Sequence, residues 1–245
     1  MSKKMTADEL NNLVKSALSQ ISILFQSWID SGNHYLLNKA TLVAYWLRDY
    51  MAFLRLEDTF SPHSVPRLKR GHVIVVDFGF RIGKEFGGRH FAVVVDNQNS
   101  LNSAIVTVVP LFSLKDGYTP SKYTCKLDDG IYEPMLQRAK AILAEAQQLS
   151  EELSTVEQEE KRSTPEYRAK VAVASSLIER GKRILAEMEH MKSGSIANSC
   201  QITTISKLRI KRPLNKNDPL YGLRLSSKDM EKINEQVSQL FIFHN

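Results

Sequence analysis

The densest group of chemically capable residues runs from Gly83 to His90, reading Gly-Lys-Glu-Phe-Gly-Gly-Arg-His. Arg89 brings a guanidinium, whose planar fork of donors can hold two oxygens of a phosphate and whose charge persists at any working pH. Gly83, Gly87 and Gly88 let the backbone approach a ligand and adopt positive φ, although glycine pairs also make ordinary hairpin turns. Glu85 is either a carboxylate shaping a channel or a solvated loop residue. His90 could move a proton. Neighbours on a strand face opposite ways, however, so His90 and Arg89 serve one ligand only across a bulge, and packing or surface is the plainer role for His90. Taken alone, Arg89 reads as an exposed cation at a strand start. A second basic group, Lys207, Arg209, Lys211 and Arg212, is either a phosphate track or a solvated strand end.

Other chemistries find less support. The two cysteines, Cys125 and Cys200, form no C-x-x-C pair and have no histidine at ligand spacing, so neither a zinc site nor a disulfide framework is expected. Both read as reduced thiols. The 245 residues carry a formal charge of +6, which favours polyanionic partners only as a weak global signal. The basic start Met-Ser-Lys-Lys-Met leads into Asp8, Glu9, Asn11 and Asn12 rather than an apolar signal segment. No stretch reaches the roughly 18 to 20 apolar residues of a membrane span. A soluble cytoplasmic protein without metal or cofactor is expected.

The elements that must position these residues follow from hydrophobic period. A capping-box pattern at Thr6-Ala7-Asp8-Glu9 precedes Leu10, Leu13, Ala17, Ile21, Leu24 and Trp28 on one helical face. After Ser31-Gly32-Asn33, the stripe Ala40, Val43, Leu47, Tyr50 or Met51, and Leu54 predicts a second helix. Pro62 and Pro66 end this region. From Gly71 the pattern changes to short strands: His72 to Phe78, His90 to Asp96, Ala104 to Leu111 and Lys122 to Leu127. They read as an antiparallel meander, apolar on both faces, in a small barrel or sandwich packed on helices. Residues 133–192 return to helical spacing in two stripes. The first comprises Met135, Ala139, Ile142, Ala146, Leu149, Leu153 and Val156; the second Tyr167, Val171, Ala174, Ile178, Gly181, Leu185 and Met188. Between them, Ser163-Thr164-Pro165-Glu166 supplies a helix start, giving an αα-hairpin. Ile196 to Leu208 reads as strand again, and Ser226 to Asp229 caps a last helix bearing Met230, Ile233, Val237 and Leu240.

Four blocks in order resemble the MazF/PemK toxins. Arg70-Gly71-His72-Val73 is similar to that family's R-G-D-[IV] strand, and Gly83 to Arg89 to its G-x-E-x-G-G-x-R-P loop. Ser103 to Leu111 is similar to the T-[AV]-[IV]-V-x-P-[IL] strand, and Gln201 to Arg209 to Q-I-R-T-[IV]-D-K-x-R-L. The resemblance covers about half the chain. It implies an α+β fold: a small antiparallel SH3-like, PemK-like β-barrel with a C-terminal helix, here with an N-terminal helical pair and an inserted αα-hairpin. The expected boundaries are 1–62 for the helical pair, 66–131 with 195–245 for the barrel, and 132–194 for the hairpin.

The same resemblance implies a metal-independent endoribonuclease, usually a homodimer, that cuts single-stranded RNA such as mRNA and is neutralised by a cognate antitoxin. Arg89 corresponds to the family's catalytic arginine. Gly83, Glu85, Gly87, Gly88, His90, Gln201, Thr204, Lys207 and Arg209 are the implied RNA-binding residues. Three positions depart from the pattern. His90 replaces a proline, Thr203 stands where arginine is usual, and Phe112 occupies the place of the catalytic threonine. Phenylalanine offers no hydroxyl, so Ser113, one residue on, is the candidate to supply it. The alternatives are a catalytically impaired RNA- or protein-binding module on the same barrel and, by analogy of fold, a gyrase-targeting toxin.

Overall fold

A computed structural model describes residues 5–115, 117–156, 162–189 and 194–242. The start of the chain, residues 1–4, and the last part of the expected second hairpin helix, 190–192, lie outside the described residues. The chain divides into two compact units, residues 1–58 and 59–245. No described helix is long and apolar enough to cross a membrane.

The first unit is a helical pair. α1 spans Ala7–Asp30 and α2 spans His34–Glu57. Thr6 caps α1 reciprocally with Glu9: the Glu9 N–H donates to Thr6 Oγ1 at 3.2 Å, and the Thr6 N–H donates to Glu9 Oε2 at 2.7 Å. Asn33 caps α2 by accepting from the N–H groups of Tyr35 and Leu36. α1 buries no residue and α2 buries only Ala40.

Among the described residues, the second unit comprises a seven-stranded antiparallel sheet and three α-helices. The strands are β1 (Val73–Asp77), β2 (Arg89–Val94), β3 (Ile105–Ser113), β4 (Cys125–Lys126), β5 (Ser195–Ala197), β6 (Thr203–Ser206) and β7 (Ile210–Arg212). The helices are α3 (Tyr132–Ser154), α4 (Pro165–Glu189) and α5 (Ser227–Phe241). Strand order is β4-β5-β3-β2-β1-β7, with β6 also paired to β3. Among the described residues the pairing path stays open, with β4 and β7 at its ends, where a barrel was expected.

β3 is the hub of the sheet. Residues 105–108 pair with β6, and 111–113 pair with β5. The five residues 198–202, between Ala197 and Thr203, therefore stand opposite only Val109 and Pro110. They bulge outward as a short 3-10 turn, Ser199–Gln201, anchored by the Asn198 N–H on the Pro110 carbonyl at 2.9 Å. The continuous strand expected from 196 to 208 is broken here and again at a 3-10 turn over Lys207–Arg209.

Strand alternation sorts the apolar residues into two cores. Val73, Val75, Val93, Val109 and Leu111 face the helices and meet Met135, Ala139, Ile142, Ile184, Met188, Met230 and Ile233. Ile74, Val76, Phe78, Ala92, Val94, Val106, Val108, Ile205 and Ile210 line the other face, closed by Val65 and Leu68. This explains why β1 is buried at every position. In α4, Ile184 rather than Leu185 enters the core, because the helical face rotates slightly from the expected stripe. Gly181 is where α3 and α4 come closest: a Cβ there would stand 2.6 Å from Leu143 Cδ2.

The start of α3 has no side-chain cap of its own. Its approach is held instead from α5. The fully buried carboxylate of Asp229 accepts from the N–H groups of Asp128, Asp129 and Gly130 at 2.6, 3.2 and 2.9 Å. Ser226 in turn caps α5 by accepting from the Asp229 N–H at 3.2 Å.

Candidate active site

Arg89 opens β2 directly opposite Asp77 of β1. The β1–β2 connection is closed by two backbone bonds, Phe78 N–H to the Gly88 carbonyl at 2.9 Å and Gly88 N–H to the Gly79 carbonyl at 2.8 Å. Gly88 has φ +85°, open to glycine at little cost. At Gly87 a Cβ would stand 2.7 Å from the Gly79 carbonyl oxygen, so only glycine lets the two sides of the loop come this close. These two glycines set the point at which Arg89 enters the sheet.

Arg89 is exposed and has no hydrogen-bond or ion-pair partner among the described residues. It shares the helix-facing side of β2 with Phe91 and Val93. Ser113 shares the same side of β3 with Val109 and Leu111, and pairs with Ser195 of β5. The β2–β3 ladder runs through Val94↔Val108 and Val93↔Val109 and stops at Ala92↔Pro110. Pro110 has no N–H to continue it. The same register carried three residues further sets Arg89 opposite Ser113. The observed pairs are Asp77 with Arg89 on β1–β2 and Ser113 with Ser195 on β3–β5, and β2 and β3 are not paired between them. Where β2 and β3 part, a small pocket opens, lined by Phe91, Leu111, Phe112, Ser113, Ile131, Tyr132, Gly194 and Ser195.

β3 extends through Ser113, beyond the Leu111 at which it was expected to end. The one-residue shift from Phe112 to Ser113 therefore changes face, and the new face is that of Arg89.

His90 and Phe112 fall on the opposite side. The His90 ring packs against Phe86 with centroids 4.6 Å apart, and Phe86 lies 6.3 Å from Phe112. Phe112 meets Tyr118 edge-on at 5.6 Å, and Phe78 meets Phe86 edge-on at 5.6 Å. Burial lowers the His90 pKa, against a hydrogen bond to the Gly87 backbone that favours the charged form. The ring is thus mainly neutral at pH 7 and is part of an aromatic row. Phe86, His90, Phe112 and Tyr118 are all partly exposed, which leaves ring surface on which a base could stack.

The remaining candidate residues divide by what they touch. Gln201 is committed to the loop: its Oε1 accepts from the Phe86 N–H and its Nε2 donates to the Lys84 carbonyl, both at 3.3 Å. It positions Glu85, which is exposed at the rim of a groove formed with Phe78, Arg81, Phe86, Pro110, Gln201 and Thr203. Gly83 has no atom near the position a Cβ would take, so it marks an open turn. Thr204 bonds Thr107 across β3–β6 at 3.0 Å.

The basic track does not stand open. Lys207 is buried, its Nζ donates to the Ser100 carbonyl at 2.9 Å, and burial lowers its pKa. Arg209 donates to the Phe78 carbonyl at 3.1 Å. Lys211 lies 4.0 Å from Asp77. Arg212 is gripped by Asp218 through two bonds and by Glu187 at 2.6 Å; burial opposes its charge, but these carboxylates leave its pKa raised. Alternation alone made these residues look like a charged strand end. The 3-10 turn at Lys207–Arg209 turns them inward.

The more open cations lie elsewhere and were missed. At the far end of β1 and β2 a wide groove is lined by His63, Arg67, Lys69, Arg70 and Arg224 together with Asn97 to Asn102, with no carboxylate in its wall. The run Arg67-Leu-Lys-Arg70 was the available sequence signal. Among the described residues no cluster of three or more His, Cys, Asp or Glu is placed to hold a metal ion.

These arrangements converge with the comparison to known families. The family model of PemK-like, MazF-like toxins of type II toxin-antitoxin systems matches residues 69–174, a span that holds β1 to β4, α3 and the first part of α4. Over that span, which is less than half of the chain, the sequence is similar to the toxins of these toxin-antitoxin systems. No curated protein matches the chain.

Proposed function

We propose that this chain is a toxin-type endoribonuclease that cuts single-stranded RNA without a metal, with Arg89 as its central catalytic group and a cognate antitoxin to restrain it. The observation that supports this most strongly is an exposed Arg89 with no partner among the described residues, set at the start of β2 by the Gly87-Gly88 turn within the segment similar to these toxins. In this reaction the ribose 2′-oxygen attacks the adjacent phosphorus, its proton is taken up, and the 5′-oxygen leaves with a proton. The 3′ product is a cyclic phosphate. Charge grows on the phosphoryl oxygens in the transition state, where a guanidinium fixed at the strand start is worth most. Ser113 supplies a further donor, and the row Phe86, His90, Phe112 and Tyr118 offers stacking surface for a neighbouring base. Phosphates further along the strand are served by Arg67 and Lys69 in the far groove.

The test is product analysis. Purified protein incubated with defined single-stranded RNA in EDTA should give 5′-hydroxyl and cyclic phosphate ends. A second reading, binding without chemistry, is favoured by one observation: Phe112 is fixed between Phe86 and Tyr118 and brings no hydroxyl. Salt-sensitive RNA binding with no cleavage would establish it, and gyrase inhibition without either would establish a protein-directed toxin.

A further inference from the structure

We infer that the groove at the end of the sheet away from Arg89 is a nucleotide-binding site, in which free cations hold the phosphate and the amides of the β2–β3 loop hold the base. Its volume is about 800 Å³, room for a whole nucleotide, and every residue that lines it belongs to the second unit. One wall carries Arg67 and Lys69, exposed on either side of the buried Leu68, and neither side chain has a partner among the described residues. Arg70 and Arg224 stand beside them but are committed. Arg70 donates to the Val95 carbonyl and to Asn234, and Arg224 donates to the Arg70 carbonyl at 2.8 Å. No carboxylate lines the groove, and the charges of Arg224, Lys69 and Arg138 add to burial in lowering the pKa of nearby His72. The field at this end is positive.

The other wall is the loop from Asn97 to Asn102, whose frame is fixed from within. The Asp96 carboxylate accepts from Asn99 Nδ2 at 2.8 Å and from the Thr107 N–H at 3.2 Å, and Asn99 also donates to the Ile105 carbonyl at 3.0 Å. The buried Lys207 holds the Ser100 carbonyl at 2.9 Å. This frame leaves the side-chain amides of Asn97, Gln98 and Asn102 exposed and without partners among the described residues. An amide sets an acceptor beside a donor, the complement of the adenine edge formed by its amino group and N7. A plain anion would leave these amides unused, whereas a nucleotide engages both walls. β2 carries the chain about 17 Å from Arg89 to Val94, so this site is separate from the one at Arg89.

The experiment is calorimetric titration of the full chain with AMP and with ribose 5-phosphate, which keeps the phosphate and lacks the base. AMP should bind saturably and about tenfold more tightly than ribose 5-phosphate. Replacing Asn97, Gln98 and Asn102 together by alanine should remove that preference and leave ribose 5-phosphate binding unchanged. The residues that frame the loop stay in place, and an unchanged melting temperature verifies the fold. Arg67→Glu with Lys69→Glu should abolish binding of both ligands. Arg89→Ala should bind AMP as the wild type does, whatever becomes of RNA cleavage, so the two assignments stand or fall separately. Repeating the Arg89→Ala titration in excess oligoadenylate separates two sources of the ligand: suppressed AMP binding identifies a nucleotide of an RNA strand, and undiminished binding a free nucleotide. No saturable AMP binding up to about 1 mM would overturn the inference. So would equal affinity of the wild type for the two ligands, or loss of AMP binding in Arg89→Ala, which would put the nucleotide at the other end of the sheet.

Discussion

At the scale of the residue, Arg89 and Asp229 are opposites. Asp229 is buried and holds three backbone N–H groups ahead of α3, so its loss strands three donors at once. Asp229→Ala should lower stability by about 3 kcal/mol, read from urea denaturation, because each buried donor left unsatisfied carries its own desolvation cost. Arg89 is exposed and holds none of the described residues, so its removal should leave stability within about 0.5 kcal/mol of wild type. His72 supplies a third case. Burial first, then the positive charges of Arg224, Lys69 and Arg138, lower its pKa to about 4. Between about pH 6.5 and 4 the unfolded chain therefore takes up a proton that the folded chain refuses, so stability falls as pH falls through this window. His90 adds in the same direction. Melting temperature should rise from pH 4.5 to 7, and His72→Asn, which keeps an acceptor for the Lys69 N–H, should flatten the slope.

At the scale of the element, the loop between β1 and β2 owes its shape to a residue more than a hundred positions away. Gln201 reaches the loop only because five residues bulge opposite two of β3. Gln201→Ala should thus lower RNA cleavage about tenfold while leaving the melting temperature within a few degrees, since a loop held less firmly positions Arg89 less often. Gly181 acts within the hairpin. Gly181→Val should destabilise by about 2 kcal/mol in thermal denaturation, because its branches must displace Leu143.

These elements show what the sequence could reveal. The Thr6–Glu9 cap, the helix stripes, the strand runs of β1 to β3 and the Thr164 and Ser226 caps are local patterns, and each is present. The break in the strand after Ala197 is not local: β5 and β6 differ in partner, not in composition. For the same reason the distant partners of Gln201 and Lys207, the Lys84 and Ser100 carbonyls, were not legible in the sequence. Conversely, the face shared by Arg89 and Ser113 depends on β3 continuing past Leu111, which short-range pattern placed two residues too early.

At the scale of the molecule, the sheet presents two distinct ends. One carries Arg89, the aromatic row and the glycine loop; the other carries a groove whose wall holds cations and amides. Arg67→Glu with Lys69→Glu should weaken single-stranded RNA binding and reduce the salt dependence of affinity by about two counterions, measured by fluorescence titration between 50 and 200 mM salt. The helical pair lies apart from both ends in the sequence and outside the matched family segment.

The central claim concerns a single guanidinium. Its most direct test is the cleavage rate of one defined single-stranded RNA in EDTA by wild type and by Arg89→Ala, with equal folding of the two verified by circular dichroism. Arg89→Ala should cut at least 100-fold more slowly, the loss expected when one preorganised charge is removed from a phosphoryl transition state. Equal rates in the two proteins would contradict the assignment of Arg89.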